Sequence, residues 1–395
     1  MNASIGVGFN HSKTESSSTT STPVVTTLDA GRAIDIEAGN KITSQGAQIN
    51  VGSDPFWNNI GDKNAGNIDL TAKEINLNSA IGTTQSKSSS KASGALIGMD
   101  LSGTPNASGY YDKSNSNSNS LTHTNTHVTG TGTVTVNTDG DFTLKGATVS
   151  GNKVVANVGG SLIIESQIDV EDVKIKHDSI SGNIGANTAG VNVVKQNGKG
   201  NSFTVNEQSG IHAGDEGFDL NVDDKTALKG GLITSTAGED KNKLVTGTIT
   251  FEDINTSSSW DVTTKGGGYT IGTGKQGDAG TGPLVSPTLN DSGKDKGKAQ
   301  AAVSPGQIII TKKDEQVQDI VTLNRDPSHT NDKIDGIPDL QKKLNEQLKT
   351  QQEWTEAAKN MAEGVKKISD KLKEQTGSDI WGDGGAGHCQ NNFTF

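Results

Sequence analysis

The chain has 395 residues, of which 30% are hydrophobic and 4% aromatic, with 50 glycines and a formal net charge of -11. Leu, Ile, Val and Phe make up about a fifth of it, close to the limit below which chains tend to be disordered, so the composition argues against a single compact core. The acidic balance argues against nucleic-acid binding, which depends on clustered lysine and arginine. A parallel β-helix suits such a chain because only a thin column of aliphatic side chains is buried.

Cysteine usage and the N-terminus say little about the compartment. Cys389 is the single cysteine, so no disulfide can form within the chain. No apolar run approaches the roughly 18 residues of a membrane helix. The first residues, MNASIGVGFN, lack the charged start and the apolar core of a signal peptide. If the protein is secreted, we therefore expect its export signal to lie outside this chain.

The first part of the chain introduces a repeat. Residues 1–31 are rich in Ser and Thr and are predicted to be a mobile or edge segment that leads into the first coil. Residues 33–52 read AIDIEAGNKITSQGAQINVG, and TVTVNTDGDFTLKGATVSGN at residues 133–152 matches them without a gap. A third copy begins at Phe218, and a looser fourth copy occupies residues 65–82. Apolar residues alternate at period two in these copies, which predicts short, half-buried strands that must stack on one another.

The copies predict an all-β fold. Residues 32–265 are predicted to form a right-handed parallel β-helix with coils stacked about 4.8 Å apart. A glycine recurs in the copies, at Gly46 and Gly146 for example, and is predicted to mark a corner that needs a positive φ or a close backbone approach. The alternation also predicts the inward-pointing side chains, which are Ile34, Ile36, Ile42, Val134, Val136, Phe142, Leu144, Val149, Phe218, Leu220 and Ile233.

Polar stretches interrupt the repeats. The insertion at residues 54–64 is predicted to be a loop on one side of the shaft. Residues 83–127 contain little that can be buried, so they either lie along the shaft as an extended hairpin or are disordered. The block at 205–255 is dense in alternation and is predicted to exchange its amide hydrogens most slowly. Residues 266–302, rich in Gly, Asp and Lys, are predicted to be a linker.

The C-terminal part departs from the repeat. Residues 303–373 contain a predicted strand at 307–311 and a predicted amphipathic helix at 338–373, and a tail follows at 374–395. Two interpretations of the helix remain open: it packs its stripe on the last coil and caps the open end of the ladder, or it self-associates or binds a partner as a coiled coil. Its seam, at alternating steps of four and three, consists of Leu340, Leu344, Gln347, Gln351, Trp354, Ala358, Met361, Val365, Ile368 and Leu372.

At this point a family is recognisable. The block at residues 203–255, together with VANVGGSLIIESQIDV and THTNTHVTG, resembles the C-terminal haemagglutinin-repeat region of filamentous haemagglutinins and contact-dependent growth inhibition exoproteins. The run QIIITKKDEQVQDIVTLNRD resembles the pre-toxin segment that follows those repeats. The resemblance implies a very large exoprotein, secreted by two-partner secretion through an outer-membrane transporter, that forms a β-helical filament on the bacterial cell surface. It also implies a role in delivering a C-terminal toxin into neighbouring Gram-negative cells.

The predicted function is therefore structural. The chain lacks the family's N-terminal secretion domain and its VENN motif, so we expect it to be an internal or truncated piece, a shaft fragment and not an enzyme. Its expected partners are the secretion transporter, through the parent protein, and the target-cell surface, but no nucleic acid. The alternative is a carbohydrate-binding or carbohydrate-active β-helix, such as an adhesin or a polysaccharide lyase. Such enzymes line a groove with acids, bases and aromatics, and aromatics are scarce here.

The sequence predicts no catalytic, cofactor-binding or metal-binding residue. His123 and His127 would lie on one face of a strand, but two imidazoles alone make an incomplete metal site. The run at 272–282 departs from a phosphate-binding loop at its first glycine and after its lysine. NDKIDG at 331–336 lacks the middle ligand of a calcium loop, and GDEGFD at 214–219 is predicted to be a solvated corner. The motifs of serine and cysteine nucleophiles and of sugar hydrolases are absent.

Overall fold

A computed structural model describes residues 4–52, 65–100, 102–272 and 281–376. Strands dominate these residues and form two sheets, a parallel one of sixteen strands and an antiparallel one of eight. The predicted all-β class is thus confirmed. The parallel sheet is curled into a half-barrel, as in a β-helix. The loop predicted at 54–64 lies outside the described residues.

The parallel sheet is built from successive sets of short strand segments, three in each of the first six sets and two in the last, and in the fourth to sixth sets neighbouring segments run together as one longer strand. Each strand pairs with its counterpart in the preceding and the following set, so the chain advances by one strand spacing per set. Its strands, numbered in chain order with those of the second sheet, are β2 (Thr27–Ala30), β3 (Ala33–Glu37), β4 (Lys41–Gln45), β5 (Gln48–Val51), β6 (Asn67–Ala72), β7 (Glu74–Asn78), β10 (Thr126–Gly130), β11 (Thr133–Thr138), β12 (Phe142–Lys145), β13 (Ala147–Val158), β14 (Leu162–Glu165), β17 (Gly210–Lys229), β18 (Leu232–Ser235), β19 (Lys243–Glu252), β23 (Ala302–Val303) and β24 (Gln307–Ile310).

The pairing is in register, so inward side chains of successive sets stack into columns. Val136, for example, lies between Leu70 of the preceding set and Ala156 of the next. The side chains predicted to point inward are buried, except that Ile36 and Ile42 of the first set are only half-buried against the same cluster. The middle column runs through Ile36, Leu70, Val136, Ala156, Leu220, Leu244 and Ile308. The first column runs through Leu28, Ile49, Val128, Val149, Ile211, Ile233 and Val303.

The recurring glycine is a left-handed corner, as predicted. Gly46, Gly146 and Gly230 have φ values of 67°, 69° and 54°. Residues other than glycine rarely adopt this left-handed backbone conformation. Each follows the third strand of one set and precedes the first strand of the next. A Cβ atom on Gly146 would also lie 2.5 Å from the Cβ of Ser79. Glycine is thus required here by both conformation and space.

The antiparallel sheet, here called the hairpin sheet, consists of long strands that leave the sets and return. Its order is β1-β8-β9-β15-β16-β20-β21, with β22 also paired to β20. The strands are β1 (Ser4–Ser21), β8 (Ala80–Asp100), β9 (Pro105–Thr124), β15 (Asp169–Ile184), β16 (Thr188–Thr204), β20 (Ile254–Gly272), β21 (Gly282–Val285) and β22 (Leu289–Ala299).

The hairpins leave the parallel sheet after every second set. Strands β8 and β9 separate the second set from the third, β15 and β16 separate the fourth from the fifth, and β20 and β22 separate the sixth from the seventh. Of the two alternatives for residues 83–127, the structure therefore shows the extended hairpin. In the Ser/Thr-rich residues 1–31, β1 pairs along its whole length with β8.

Residues 266–302 differ from the predicted linker. They include the end of β20, all of β21 and β22, and the start of β23. The run LNDSGKDKGKA has a linker-like composition, but as β22 it pairs with β20, which satisfies its backbone without apolar side chains. The parallel sheet also continues past residue 265, because β23 pairs with β18 and β24 with β19.

The predicted helix is present as α1 (Leu340–Thr376), but it does not cap the ladder. Its first turns pack on one face of the hairpin sheet, where Leu340 and Leu344 contact Ile175 and Val262. Nε2 of the buried Gln196 donates to the Leu344 carbonyl oxygen at 2.7 Å. The Thr264 hydroxyl donates to Oε1 of Gln347 at 2.8 Å, and Nε2 of Gln351 donates to the Pro287 carbonyl oxygen at 2.9 Å. The capping interpretation was wrong, because the apolar surface that the helix covers belongs to the hairpin sheet. The sequence analysis did not predict this sheet, and it assigned part of it to a linker.

Two glutamine side chains pair instead with the open edge of the second half of β19, the last strand segment at the third position of a set. Oε1 of Gln316 accepts from the Ile249 nitrogen and its Nε2 donates to the Ile249 oxygen, at 2.8 and 2.9 Å. Gln318 makes the same two bonds to Phe251, at 2.8 and 3.0 Å. The amide groups take the place of a further strand and satisfy an edge that would otherwise invite pairing.

The corner glycines give a test of the fold. We expect Gly146→Ala to destabilise the protein by about 1–3 kcal/mol, because the left-handed conformation is costly for alanine and the new methyl group meets Ser79. Gly39→Ala is the matched control, since nothing lies within 4 Å of its Cβ position. Urea denaturation followed by circular dichroism measures both variants. Equal midpoints for the two would contradict the assigned corner.

Candidate functional site

The histidines of HTNTH lie where the hairpin sheet joins the parallel sheet. His123 is near the end of β9 and His127 is in β10, with Asn125 between the two strands. The backbone nitrogen and Nδ1 of His123 lie 2.8 and 3.0 Å from Oδ1 of Asp169, and both side chains are about nine-tenths buried. His127 contacts a different acid, so the two histidines do not form one site.

A second histidine–carboxylate pair is more open to solvent. Nε2 of His127 lies 2.8 and 3.1 Å from the two carboxylate oxygens of Glu207. Their hydrogen bond raises the pKa of His127 and lowers the pKa of Glu207, because each partner favours the charged form of the other. Burial lowers the pKa of the neighbouring His212, whose Nδ1 lies 2.8 Å from the Thr234 hydroxyl. Protonation of the cluster is therefore favoured on His127 over His212.

The acids of these pairs were missed by the sequence analysis. Asp169 is 46 residues from His123, and Glu207 is 80 residues from His127. Only the register between sets and hairpins brings them together. Each histidine has a single carboxylate, and across residues 4–52, 65–100, 102–272 and 281–376 no group of three His, Cys, Asp or Glu side chains is arranged to hold a metal ion.

In the other candidate motifs, the acidic side chains accept hydrogen bonds from other parts of the fold. In GDEGFD, Asp215 accepts from the Thr236 hydroxyl at 2.7 Å and Gly217 is a left-handed corner. In NDKIDG, Asp332 accepts from the backbone nitrogen of Lys298 at 2.9 Å, which fastens this segment to β22. The phosphate-loop-like run falls mainly on residues 273–280, outside the described part of the chain.

The comparisons with known proteins agree with this architecture. The family model described as hemagglutinin repeat matches residues 7–182, which span the first four sets and the first hairpin. The chain is also about 32% identical to several CdiA proteins over most of its length. It belongs to the filamentous haemagglutinin and CdiA type of proteins. In this hemagglutinin-repeat chain the matched residues include strands of both sheets, and the histidine pairs lie where a hairpin rejoins the strand sets.

The relatives are much longer than this chain. The 16S rRNA endonuclease CdiA of Enterobacter cloacae subsp. cloacae is 32% identical over 359 residues, which cover 87% of this chain and 10% of the relative. The tRNA nuclease CdiA of Escherichia coli O6:K15:H31 is 32% identical over 369 residues, covering 86% and 11%. The tRNA nuclease CdiA-2 of Burkholderia pseudomallei is 40% identical over 182 residues, covering 43% and 6%. The chain thus spans about a tenth of the length of the curated relatives it matches.

No solved structure matches this hemagglutinin-repeat chain. Within its described residues, no helix is long and apolar enough to span a membrane.

The His127–Glu207 pair predicts a pH dependence. Because the pKa of His127 is raised above its usual value near 6.5 and the pKa of Glu207 is lowered below its usual value near 4.5, the pair should stabilise the fold fully between these two usual values. It should lose this contribution as the pH rises through the raised pKa of His127 or falls through the lowered pKa of Glu207. Proton NMR of the imidazole should show His127 titrating above 6.5 and Glu207→Gln moving it back. The matched control is Glu216→Gln, an exposed acid in β17. An unchanged His127 titration in Glu207→Gln would contradict the pairing.

Proposed function

We propose that this chain is a structural shaft segment of a secreted two-partner-secretion exoprotein. The shaft is a right-handed parallel β-helix, a handedness that crossovers between parallel strands of one sheet almost always take. The observation that carries the proposal is the in-register stacking of the sets from β2 to β24, together with the hemagglutinin-repeat match. Such a stack propagates along one axis with neighbour contacts only, which suits a filament.

The division of the chain follows from this proposal. Residues 1–31 lead into the shaft, 32–265 form its haemagglutinin-repeat body, and 303–373 resemble the pre-toxin segment. The strands within 266–302 extend the body, so the shaft ends beyond the boundary that composition indicates.

The proposed role is to present and help deliver a C-terminal toxin to neighbouring Gram-negative cells. The relatives named as nucleases support this role. The chain matches only about a tenth of their length, and this part contains the hemagglutinin-repeat match, so their nuclease activity can belong to another part of those proteins. Secretion through an outer-membrane transporter, a position on the cell surface and contact with a target-cell envelope belong to the parent protein in this proposal. The shaft itself is not an enzyme.

The second candidate function is a carbohydrate-active β-helix. It requires acids that converge on an open groove beside aromatic side chains. The buried Asp169 is instead bonded to His123 and Asn206, and Glu207 is bonded to His127. These acids hold strands together, which favours the structural function. Incubation with neutral and anionic polysaccharides should yield no cleavage products.

Expression inside a sensitive Gram-negative bacterium tests the proposal. We expect unchanged growth, because in this proposal the chain carries and presents a toxin and does not itself act on a molecule of the target cell. Cys389→Ala is the control for thiol chemistry in the tail. Growth arrest that this substitution abolishes would contradict the structural function.

We also propose that the free part of α1 associates with a second copy of the chain. The seam residues beyond Gln351 continue the coiled-coil spacing but leave the hairpin sheet. Trp354, Met361, Val365 and Ile368 are 56%, 62%, 50% and 62% exposed. Two such stripes can cover each other, whereas a single copy leaves them in water.

Sedimentation equilibrium measures this association. Met361→Lys should weaken or abolish the dimer because it places a charge in the apolar seam. Asn360→Lys adds the same charge off the seam and should leave the dimer intact. A monomeric wild-type chain, or equal effects of the two substitutions, would refute self-association through α1.

A further inference from the structure

The two faces of the hairpin sheet differ in chemistry. Side chains alternate between faces along each strand, and the antiparallel register extends each face across the sheet. The first turns of α1 pack on one face, called the helix face, where a Cβ atom on Gly198 or Gly266 would meet Leu344 or Gln351. The other face is open: in β16, Lys195, Asn197 and Lys199 are exposed, whereas the residues between them are buried. We call this open side the lysine face.

All lysines in the strands of the hairpin sheet lie on the lysine face, and none lies on the helix face. Eleven of these twelve are exposed and Lys113 is half-buried. The register aligns several of them in rows that cross the strands. The twelve are Lys13, Lys87, Lys91, Lys113, Lys174, Lys176, Lys195, Lys199, Lys265, Lys294, Lys296 and Lys298.

One row crosses six strands. Lys13 pairs with Lys91, which pairs with Lys113. The row then passes through an aspartate of β15 to Lys195 and Lys265. Neighbouring strands are about 4.8 Å apart, so like charges follow one another at a spacing at which they repel. This arrangement destabilises the free sheet and favours an anionic ligand that neutralises the row.

Few acids offset these charges. The carboxylates of the strands on the lysine face are Glu15, Asp172, Asp178 and Asp261, and Asp253, directly before β20, also pairs with Lys298. Glu15 and Asp172 pair with Lys13 and Lys174. Twelve lysines against these five acids leave a surplus of seven positive charges. The whole chain has a net charge of -11. A positive face on an acidic protein therefore reflects a segregation of charge, not a generally basic composition.

The space between the lysines is polar and flat. Amide side chains fill it, among them Asn115, Asn117 and Asn197. Asn115 accepts from the Ser89 hydroxyl and Asn201 from the Ser259 hydroxyl, each at 3.0 Å. Such groups donate and accept, as a ligand with many hydroxyl groups requires.

Next to the Lys13 row, the same face becomes apolar toward the free end of the hairpins. Tyr111 and Tyr269 are each 45% exposed there, and Ile184 is 62% exposed. A shallow depression of about 430 Å³ lies over Gly109 and Gly182 in this region. Tyrosine rings at the border of a charged, amide-rich field offer flat surfaces to the apolar faces of sugar rings.

We propose that the lysine face binds a linear acidic polysaccharide. The lysine rows neutralise its carboxylate or sulfate groups, the asparagines hydrogen-bond its hydroxyl groups, and the bordering tyrosines pack on its rings. Lysine suits an irregularly charged polymer because its ammonium group is a point charge on a flexible stem.

Other occupants fit this face less well. A second copy stacked on the same face would bring lysine rows against lysine rows. For nucleic acid, the face lacks the arginines that bind phosphate in a bidentate manner, since Arg32 and Arg325 lie outside the hairpin sheet. A second row runs from Lys87 through Asn117 to Lys174 and Lys199. Neither this row nor the Lys13 row contains an aromatic side chain on which bases stack.

The test measures binding of the whole chain to polygalacturonate and to dextran sulfate, with uncharged dextran as the neutral counterpart. We expect binding to both acidic polymers that weakens as salt is added, and no binding to dextran. Changing Lys87, Lys174 and Lys199 to Gln should weaken binding about tenfold. Changing the same three residues to Arg should retain it.

The matched control changes three exposed lysines of the parallel-sheet region, Lys73, Lys225 and Lys243, to Gln. It alters the net charge equally and should leave affinity within about twofold of wild type, because these residues lie off the lysine face. Equal weakening in the two triple variants would overturn the proposal, as would absence of binding to both acidic polymers at low salt. Tighter binding to single-stranded DNA or to vesicles of anionic phospholipid would assign the face to that other ligand.

Discussion

Both sheets of this protein share one length, the spacing of about 4.8 Å between hydrogen-bonded strands. Each set of three strands advances the parallel sheet by one spacing, whereas each hairpin adds two strands to the hairpin sheet. The two sheets stay in step only when a hairpin leaves after every second set, and this is the pattern observed. The corner glycines Gly46, Gly146 and Gly230 occur at the alternate positions, where the chain turns directly into the next set. The common spacing therefore decides where the chain turns and where it leaves the shaft.

The parallel sheet was predictable because its signal is local. Alternation at period two identifies inward residues such as Val134 and Val136 without knowledge of their neighbours, and the recurring glycine identifies a corner. The hairpin sheet carries a weaker signal, because one of its faces is in water and the other has only a small apolar patch among many serines and glycines. In β22 the alternation is between lysine and glycine or aspartate, which by composition is indistinguishable from a linker. Pairing with β20, not burial, makes that segment a strand.

The site residues depend still more on distant parts of the chain. No property of the sequence around His127 identifies Glu207 as its partner, since the register across a whole hairpin brings them together. The same is true of Gln316 and Gln318, whose amides pair with a strand edge 67 residues earlier. A signal for these glutamines does exist in the alternation of QVQ directly after the last parallel strands. This signal can be recognised only when the unpaired edge of β19 is already known.

The alternation of hairpins has an evolutionary consequence. Inserting or deleting a single set would move every later hairpin out of step with the sheet that receives it, but a change by two sets and their hairpin preserves all pairings. The best-matching sequence copies agree, because Ile34, Val134 and Phe218 lie in the first, third and fifth sets. The heritable unit of this fold is therefore a double set with one hairpin. A lineage that lengthens its filament by gene duplication must do so in these paired steps, and each step enlarges the open face of the hairpin sheet by the same amount.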